Sequence, residues 1–542
     1  MQHNSSISKY NIAIIGLGPK GLYAFAELTK FLLSRNIKEV NVYLFDKSGQ
    51  FGTGPVYNLD QPKYLLMNYE NVHIDHSSLY ISDDRRKTYN QIAEPKEHFS
   101  SRGEIGRYLL DLYNDLKIQS LGCFNIQEVK DAVTNIKKSE DKLFLETANA
   151  EFDHIAFDQV MITSGHNTCN ACKQTFDQMI NFVYPPEQKL KSIAKEDVVI
   201  VKGLGLTFID TVLGLTEGRD GRFTADGQKL KYIKSGNEPK TIIPFSRTGE
   251  LMLPRMETKL PPNFRLRSKS LNQIAKNRKG QLDFEEDILP ALEDEFAQQG
   301  GKGKFVDAAS LSDFTIDELV NIAEGNSFSE KIVASLIWRL FSTAFNKIYS
   351  NRGLNPSAHR QFDQYWKGKM QRVSYGPPLI NYKKIQAVYE AGILDFAFSK
   401  SPSIDFERKK ITNHDGQSST SFTYLVDARI PSNNILNNPS ELYRNMLNSG
   451  LIRTARNGDY DMGCIDLDSD GHGVSEDGMV ISQLTFYGIP TEGITYNNDT
   501  LSTNHNNYAI NWIKEIQKDF EYEHYKINSD SSQLGPKLKV SA

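Results

Sequence analysis

The sequence predicts an α/β protein with two Rossmann-like dinucleotide-binding domains and a helical insertion. Two stretches place a glycine-rich turn between an apolar, β-branched strand and a helical pattern: IAIIGLGPKGLYAFAEL at residues 12–28 and VVIVKGLGLTFIDTVLGL at residues 198–215. From about residue 259 to residue 372, apolar residues recur at helical spacing. Two such turns in one chain predict two nucleotides that face each other, usually a flavin and a nicotinamide cofactor.

In the first turn, each glycine has a physical role. Gly16 allows the tight turn after the strand, Gly18 lets a pyrophosphate approach the backbone, and Gly21 lets the helix pack close to the strand. Pro19 and Lys20 lie in the same turn and belong to the predicted cofactor site. The pyrophosphate would lie at the helix N-terminus, where free N–H groups and the helix dipole favour negative charge. The alternative is a glycine-rich turn that binds nothing.

The next strand, VNVYLFD, ends in Asp46. A carboxylate at this position can accept hydrogen bonds from the ribose hydroxyls of an adenosine, and it would repel a 2′-phosphate. The first domain is therefore predicted to bind FAD or NAD rather than NADP.

The second turn departs from the usual glycine pattern. Gly203 and Gly205 are present, but Phe208 stands where a third glycine is expected, so the helix must pack less tightly or tilt. Thr207 offers a hydroxyl to a phosphate. The strand TIIPFSRTG ends near Arg247, which can pair with a 2′-phosphate, and NADPH is therefore favoured over NADH. The alternative for Arg247 is a surface side chain without a ligand.

Length and composition indicate a soluble protein of two or three domains. The chain has 542 residues, of which 39% are hydrophobic and 24% are charged. A net charge of −4 gives no indication of nucleic acid or an anionic membrane as a partner. No apolar run reaches the ~18 residues of a membrane span, and the N-terminus has no hydrophobic signal core. We expect a cytoplasmic protein. The sequence leaves open whether it forms a homo-oligomer.

The pattern along the chain divides it into four parts. Residues 1–195 are predicted to begin the FAD-binding domain, and residues 196–372 to form the NAD(P)-binding domain with the helical insertion at about 259–372. Residues 373–528 would return to the FAD-binding domain. The polar residues 529–542 would be a loose tail.

Several longer motifs follow one another in a characteristic order: QFGTGPVYNLDQPKYLLMN, SRGEIGRYLLDLY, DQVMITSGH, GLGLTFIDTVLGLTEGRDGRF, SYGPPLI and LTFYGIPTEG. In this order the chain resembles the FAD/NAD(P)-binding proteins that include bacterial FAD-dependent urate hydroxylase and aspartate N-monooxygenase. It is more distantly similar to the ornithine and lysine N-hydroxylases. The resemblance covers about residues 10–500.

The resemblance implies further residues around the FAD. Gly52 and Gly54 would form a loop close to it, and Leu66, Met67 and Asn68 would lie along the flavin. Further positions that the resemblance assigns to the cofactor site are Arg102 at a helix start, Ser164 and Gly165 at a strand end, and Gly488, Pro490, Thr491, Glu492 and Gly493 in a late turn over the isoalloxazine. For the polar residues among them, a loop or capping role is the alternative.

The predicted activity is that of an FAD-dependent, NAD(P)H-reduced monooxygenase. NADPH would reduce the flavin, O₂ would add to give a C4a-hydroperoxyflavin, and a small substrate, through an amine nitrogen, would take the oxygen. A substrate amine is itself a nucleophile, so no catalytic side chain is predicted. An amino acid substrate would need a cation for its carboxylate, and Arg247, Arg255 and Arg372 are the candidates.

Two other functions stay open. Cys169 and Cys172 form a CxxC pair between the two nucleotide units, as in flavin–dithiol oxidoreductases of the thioredoxin-reductase type. A flavin-binding redox sensor without enzymatic activity is the other alternative. No metal site is predicted, because the calcium-loop-like run from Asp466 has Asp477 where a bidentate Glu is needed.

Overall fold

The computed structural model describes residues 9–93, 98–166, 177–256, 264–276, 280–312, 314–325, 329–430, 434–436 and 440–533. The strands in this part of the chain are β1 Tyr10–Ile15, β2 Val40–Phe45, β3 Asn125–Val129, β4 Val133–Ser139, β5 Lys142–Thr147, β6 Ala156–Phe157, β7 Gln159–Ile162, β8 Met179–Ile180, β9 Val198–Lys202, β10 Arg222–Asp226, β11 Lys229–Ile233, β12 Thr241–Phe245, β13 Ser403–Asp405, β14 Lys410–Thr412, β15 Ser419–Ser421, β16 Tyr424–Asp427, β17 Thr454–Asn457, β18 Tyr460–Ile465, β19 His472–Val474 and β20 Val480–Phe486.

The α-helices are α1 Pro19–Ser34, α2 Tyr89–Ile92, α3 Arg102–Ser120, α4 Pro186–Lys189, α5 Leu206–Leu215, α6 Lys269–Lys276, α7 Leu289–Gln298, α8 Phe305–Ala308, α9 Ile316–Ala323, α10 Glu330–Tyr349, α11 Pro356–Gln361, α12 Lys367–Ser374, α13 Leu379–Glu390, α14 Glu441–Asn448 and α15 Tyr508–Gln533. Short 3₁₀ turns occupy Asn71–His73, Ser77–Leu79, Asp83–Arg85, Glu217–Arg219 and Ile489–Thr491, and π-helical turns occupy Phe284–Ile288 and Phe362–Trp366.

The first sheet has six strands in the order β19-β20-β7-β1-β2-β3. The strands from β20 to β3 run parallel, and β19 pairs antiparallel with β20. One face packs on α1, α3 and α15, and the other on the β4–β5–β6 sheet and α14. Burial on both faces explains why β1 and β2 are apolar runs without alternation. This confirms the first Rossmann-like domain that the sequence predicts.

The second sheet has four parallel strands in the order β12-β9-β16-β8. One of its two inner strands, β16, comes from residues 424–427, within the segment that the sequence predicts to return to the FAD-binding domain. The chain therefore completes the second sheet before β19 and β20 complete the first. The predicted boundaries at residues 195, 372 and 528 stay predictions.

The segment between the two parts of the second sheet is helical, as its periodicity predicts. Helices α6 to α13 pack around a core of aromatic side chains that includes Trp338, Phe345 and Phe362. This core is continuous with that of the second sheet.

The carboxy-terminal helix α15 extends to Gln533, so residues 529–533 of the predicted tail are helical, and residues 534–542 lie outside the described part. None of the described helices is both long enough and apolar enough to cross a membrane.

Candidate functional site

One cleft of about 2860 Å³ is walled by both glycine-rich turns. The predicted cofactor residues on its wall are Gly16, Gly18, Pro19, Lys20, Asp46, Gly54, Leu66, Met67, Asn68, Arg102, Ser164, Gly165, Gly203, Gly205, Thr207 and Arg247. The fold thus brings residues from distant parts of the sequence around one cavity. Their contact with a cofactor stays a prediction.

The first turn has the geometry of a dinucleotide cradle. Gly16 has φ +95°, and a Cβ at Gly21 would lie 2.0 Å from the Gly16 carbonyl oxygen, so α1 packs against the strand only because position 21 is glycine. A Cβ at Gly18 would meet no atom within 4 Å. Gly18 is also the N-cap residue of α1, so no side-chain oxygen accepts a hydrogen bond from the first N–H groups of the helix. The open space before an uncapped helix N-terminus fits a pyrophosphate.

Asp46 ties the first turn to the end of β2. Its carboxylate accepts hydrogen bonds from the backbone N–H of Leu17 at 3.1 Å and from the backbone N–H of Ser48 at 2.9 Å. The following loop returns to the same place: the Gly52 N–H donates to the Leu17 carbonyl at 2.7 Å, and a Cβ at Gly54 would lie 3.1 Å from the Gly18 Cα. Gly52 is thus a structural neighbour of the turn and does not line the cleft.

Lys20 points toward the carboxy-terminal segment. Its Nζ donates to the Ser502 carbonyl at 2.8 Å and lies 5.2 Å from the centroid of the Tyr487 ring. Burial lowers the pKa of Lys20 to about 7, against the opposing effect of the Asp499 carboxylate. A lysine with a pKa near neutral pH takes up a proton when an anion binds beside it.

The second turn repeats this geometry with one substitution. Gly203 has φ +115°, and Gly205 caps α5 with no atom within 4 Å of an added Cβ. Phe208, in the place of the third glycine, is 1% exposed and packs into the core of the second domain. Arg247 is exposed on the cleft wall two residues after β12. Gly205 and Arg247 both line the cleft, and the contact of Arg247 with a 2′-phosphate stays a prediction.

Arg102 joins the two halves of the protein. Its Nη2 lies 2.6 Å from Oδ2 of Asp210 on α5, and its guanidinium carbon lies 5.4 Å from the centroid of the Tyr184 ring. The Tyr184 hydroxyl also donates to Asp210. Arg102 therefore already has an anionic partner, which the sequence did not reveal, and its role toward FAD phosphates stays a prediction.

The late turn at residues 488–493 lies mostly outside the cleft wall. Five predicted residues do not lie on the cleft wall: Gly488, Pro490, Thr491, Glu492 and Gly493. Glu492 accepts a hydrogen bond from Lys367 Nζ at 2.6 Å, and a Cβ at Gly493 would lie 2.7 Å from the Cys464 sulfur. Ile489 and residues 497–502 line the cleft in their place. Ser164, which does lie on the wall, forms a 2.5 Å hydrogen bond with the hydroxyl of Tyr443.

The three arginines predicted as carboxylate-binding candidates all line the cleft but differ in environment. Arg247 is exposed, and Arg372 faces Glu250 at 3.8 Å. Arg255 is only 6% exposed, and its Nη1 has no hydrogen-bond partner among the described residues. Arg339 also lines the cleft and is not among the residues predicted from the sequence. Its signal is that it is the lone charged residue in the apolar helical run SLIWRLFSTAF.

The CxxC pair and the calcium-loop-like run are the remaining motifs of the sequence. Cys169 and Cys172 lie outside the described residues. Asp466, the first residue of the calcium-loop-like run, accepts hydrogen bonds from Arg352 and Arg453.

Comparison with known proteins identifies the class. Residues 13–167 match the family model described as FAD-NAD(P)-binding. Over 591 aligned positions the chain is 22% identical to nitrosuccinic acid synthase of Aspergillus oryzae, with 90% of this chain and 89% of that protein covered. It is 24% identical over 342 positions to the L-aspartate N-monooxygenase (nitrosuccinate-forming) of Streptomyces davaonensis, which covers 50% of this chain and 52% of that protein.

Among solved structures, the fold is similar to that of L-lysine 6-monooxygenase from Pseudomonas syringae. The TM-score is 0.51 at 11% identity, with 95% of this chain and 99% of that chain covered. The predicted flavoprotein is confirmed, and the flavin–dithiol alternative is disfavoured. The chain is thus an enzyme with relatives among the monooxygenases, and its residues 13–167 are an FAD-NAD(P)-binding domain.

Proposed function

We propose that the protein N-oxygenates a small amino acid and that L-aspartate is the first candidate substrate. The observation that carries this proposal is a continuous cleft that reaches from both glycine-rich turns to the buried guanidinium of Arg255. The two relatives that are named for nitrosuccinate formation support the choice of aspartate, since one of them aligns with 90% of the chain.

FAD, once bound and reduced by NADPH, supplies the activated oxygen. The balanced reaction is amine, O₂, NADPH and H⁺ giving hydroxylamine, water and NADP⁺. The nitrogen lone pair of the substrate forms the new N–O bond, so oxygen transfer needs no side chain as nucleophile.

The tasks of this chain are therefore binding, orientation and exclusion of water. Gly18 and Gly205 leave room for the phosphates of two dinucleotides, and Asp46 fixes the first turn for the adenosine end. Arg247 supports NADPH as the reductant. Side chains of α10, including Leu336 and Leu340, form an apolar part of the cleft wall and would limit the water around the reacting centre.

The test uses the purified, FAD-loaded protein with NADPH and oxygen. L-aspartate should accelerate NADPH oxidation, and mass spectrometry should detect the hydroxylated amine or its further oxidation products. The same reaction with L-lysine and with no amino acid gives the comparison. Release of hydrogen peroxide at one rate in all three reactions, without an oxygenated amino acid, would contradict the proposal.

A further inference from the structure

We propose that Arg255 and Arg339 form a two-guanidinium subsite that binds the carboxylates of a dicarboxylic amino acid and so determines substrate specificity. The inference rests on the N-oxygenation proposed above and names the residues that select the substrate.

Arg255 is held in place by the backbone around it. Its N–H donates to the Pro377 carbonyl at 2.7 Å, and its Nε donates to the Gly376 carbonyl at 3.3 Å. The two segments lie so close that a Cβ at Gly376 would be 1.9 Å from the Leu253 carbonyl oxygen. The guanidinium is therefore oriented through its Nε before a ligand arrives, which lowers the entropic cost of binding an anion.

The charge of Arg255 is only partly compensated among the described residues, by the Glu70 carboxylate that also faces Arg339. The side chain is buried, its Nη1 has no described hydrogen-bond partner, and Arg339 adds a second positive charge. Burial and the charge of Arg339 together lower the pKa of Arg255 to about 10. A buried cation whose charge is only partly balanced is costly in free energy, and an anionic ligand would relieve that cost.

Arg339 is only partly neutralised. Its Nη2 lies 3.8 Å from Oε1 of Glu70, whose other carboxylate oxygen lies 3.9 Å from the ring of His73. Two guanidinium groups thus share one carboxylate, which leaves an excess of positive charge at this end of the cleft. Paired carboxylates on a small ligand match two guanidinium groups better than a single carboxylate does.

The position separates this subsite from the predicted phosphate sites. The guanidinium carbon of Arg255 lies 6.0 Å from the centroid of the Tyr69 ring. Tyr69 follows Asn68, which the resemblance places along the flavin, and Asn68 itself donates to the Tyr375 carbonyl at 3.1 Å. The predicted 2′-phosphate contact, by contrast, is Arg247 at the end of β12. An oxyanion bound at Arg255 is therefore assigned to the substrate rather than to NADPH.

The experiment is a calorimetric titration of the oxidised, FAD-loaded enzyme with L-aspartate, succinate and L-alanine, combined with steady-state kinetics. Variants are Arg255→Lys, Arg339→Gln and Arg360→Gln, the last being a control because Arg360 is exposed and pairs with Asp459 outside the cleft. FAD content and melting temperature check that each variant is folded.

We expect the parent enzyme to bind aspartate and succinate, and alanine at least about tenfold more weakly. Arg255→Lys and Arg339→Gln should each weaken binding of both dicarboxylates about tenfold or more. Lysine cannot reproduce the planar fork of arginine at position 255, and glutamine removes the positive charge at position 339. The KM for NADPH should not change. Arg360→Gln should behave as the parent.

Unchanged dicarboxylate binding in both cleft variants overturns the proposal. An effect confined to the KM for NADPH also overturns it, because the anion would then be a cofactor phosphate. Succinate binding needs no oxygenation, so a subsite that depends on Arg255 can be established even if aspartate proves not to be oxygenated.

Discussion

Arg102 Nη2 and Asp210 Oδ2 lie 2.6 Å apart and link the first turn of α3 to α5, the helix that follows the second glycine-rich turn. Their side chains are 13% and 3% exposed, so this ion pair is largely desolvated. Tyr184 adds a second donor to the same carboxylate. The two nucleotide-binding halves therefore share a buried polar network beside the cleft.

We predict that Asp210→Asn destabilises the protein by about 3–5 kcal/mol, because it leaves the guanidinium of Arg102 buried without its anion. Urea unfolding, followed by circular dichroism, measures the change. The double variant Arg102→Met/Asp210→Leu should lose less, since neither charge remains. Equal urea midpoints for the parent and Asp210→Asn would show that the ion pair contributes little to stability.

The same variants test the predicted contact of Arg102 with the FAD phosphates. A loss of FAD affinity in Arg102→Met that is absent in Asp210→Asn would support this contact.

The glycines of the first turn should separate folding from cofactor binding. In Gly21→Ala the new Cβ would lie 2.0 Å from the Gly16 carbonyl, so we expect destabilisation of the apoprotein by about 1–3 kcal/mol. In Gly18→Ala the new Cβ enters open space, so the apoprotein should keep its melting temperature while FAD affinity falls about tenfold or more.

Thermal unfolding of both apoproteins and fluorescence titration with FAD measure these effects. Full FAD affinity in Gly18→Ala would refute the pyrophosphate position at this turn.

Arg247 should determine the choice between the two nicotinamide cofactors. It is exposed on the cleft wall beyond β12, where its guanidinium can reach a 2′-phosphate. We predict that Arg247→Ser raises the KM for NADPH about tenfold or more and leaves the KM for NADH almost unchanged. Steady-state kinetics with both reductants at constant ionic strength test this. Equal increases in the KM for NADPH and the KM for NADH would show that Arg247 does not contact the 2′-phosphate.

The parts of the fold that local patterns determine could be predicted from the sequence. The strand, glycine turn and helix around Gly16 are set by residues close in sequence, and the structure has them at the predicted positions. Arg102, predicted to lie at a helix start, begins α3, where the structure shows a capping box of Ser101 and Glu104. In these places, backbone sterics and burial act over a few residues.

Long-range pairings could not be predicted in the same way. Insertion of β16 between β9 and β8, and the contact of Arg102 with Asp210, join positions far apart in the chain and leave no local periodicity. The carboxylate-binding candidates show the same limit. The sequence could name Arg255 but could not distinguish it from Arg372, because only the structure shows which guanidinium is buried and which faces Glu250.

Lys20 should make FAD binding depend on pH. Burial lowers its pKa from 10.5 to about 7, so the apoprotein holds this lysine mostly neutral above pH 7. If the FAD diphosphate approaches Lys20, as its place in the first turn predicts, the anion stabilises the charged form and raises the pKa. Binding then takes up a proton, and FAD affinity should fall by up to about tenfold per pH unit above pH 7 and level off below it.

Titrations of the apoprotein with FAD between pH 6 and 9 measure this slope. Lys20→Met should bind FAD weakly with no slope, because it has no charge to gain. Lys20→Arg should bind without a slope as well, since arginine stays charged throughout this range. If the parent protein binds FAD equally well across the range, Lys20 does not face the diphosphate, and its hydrogen bond to the Ser502 carbonyl is then its structural role.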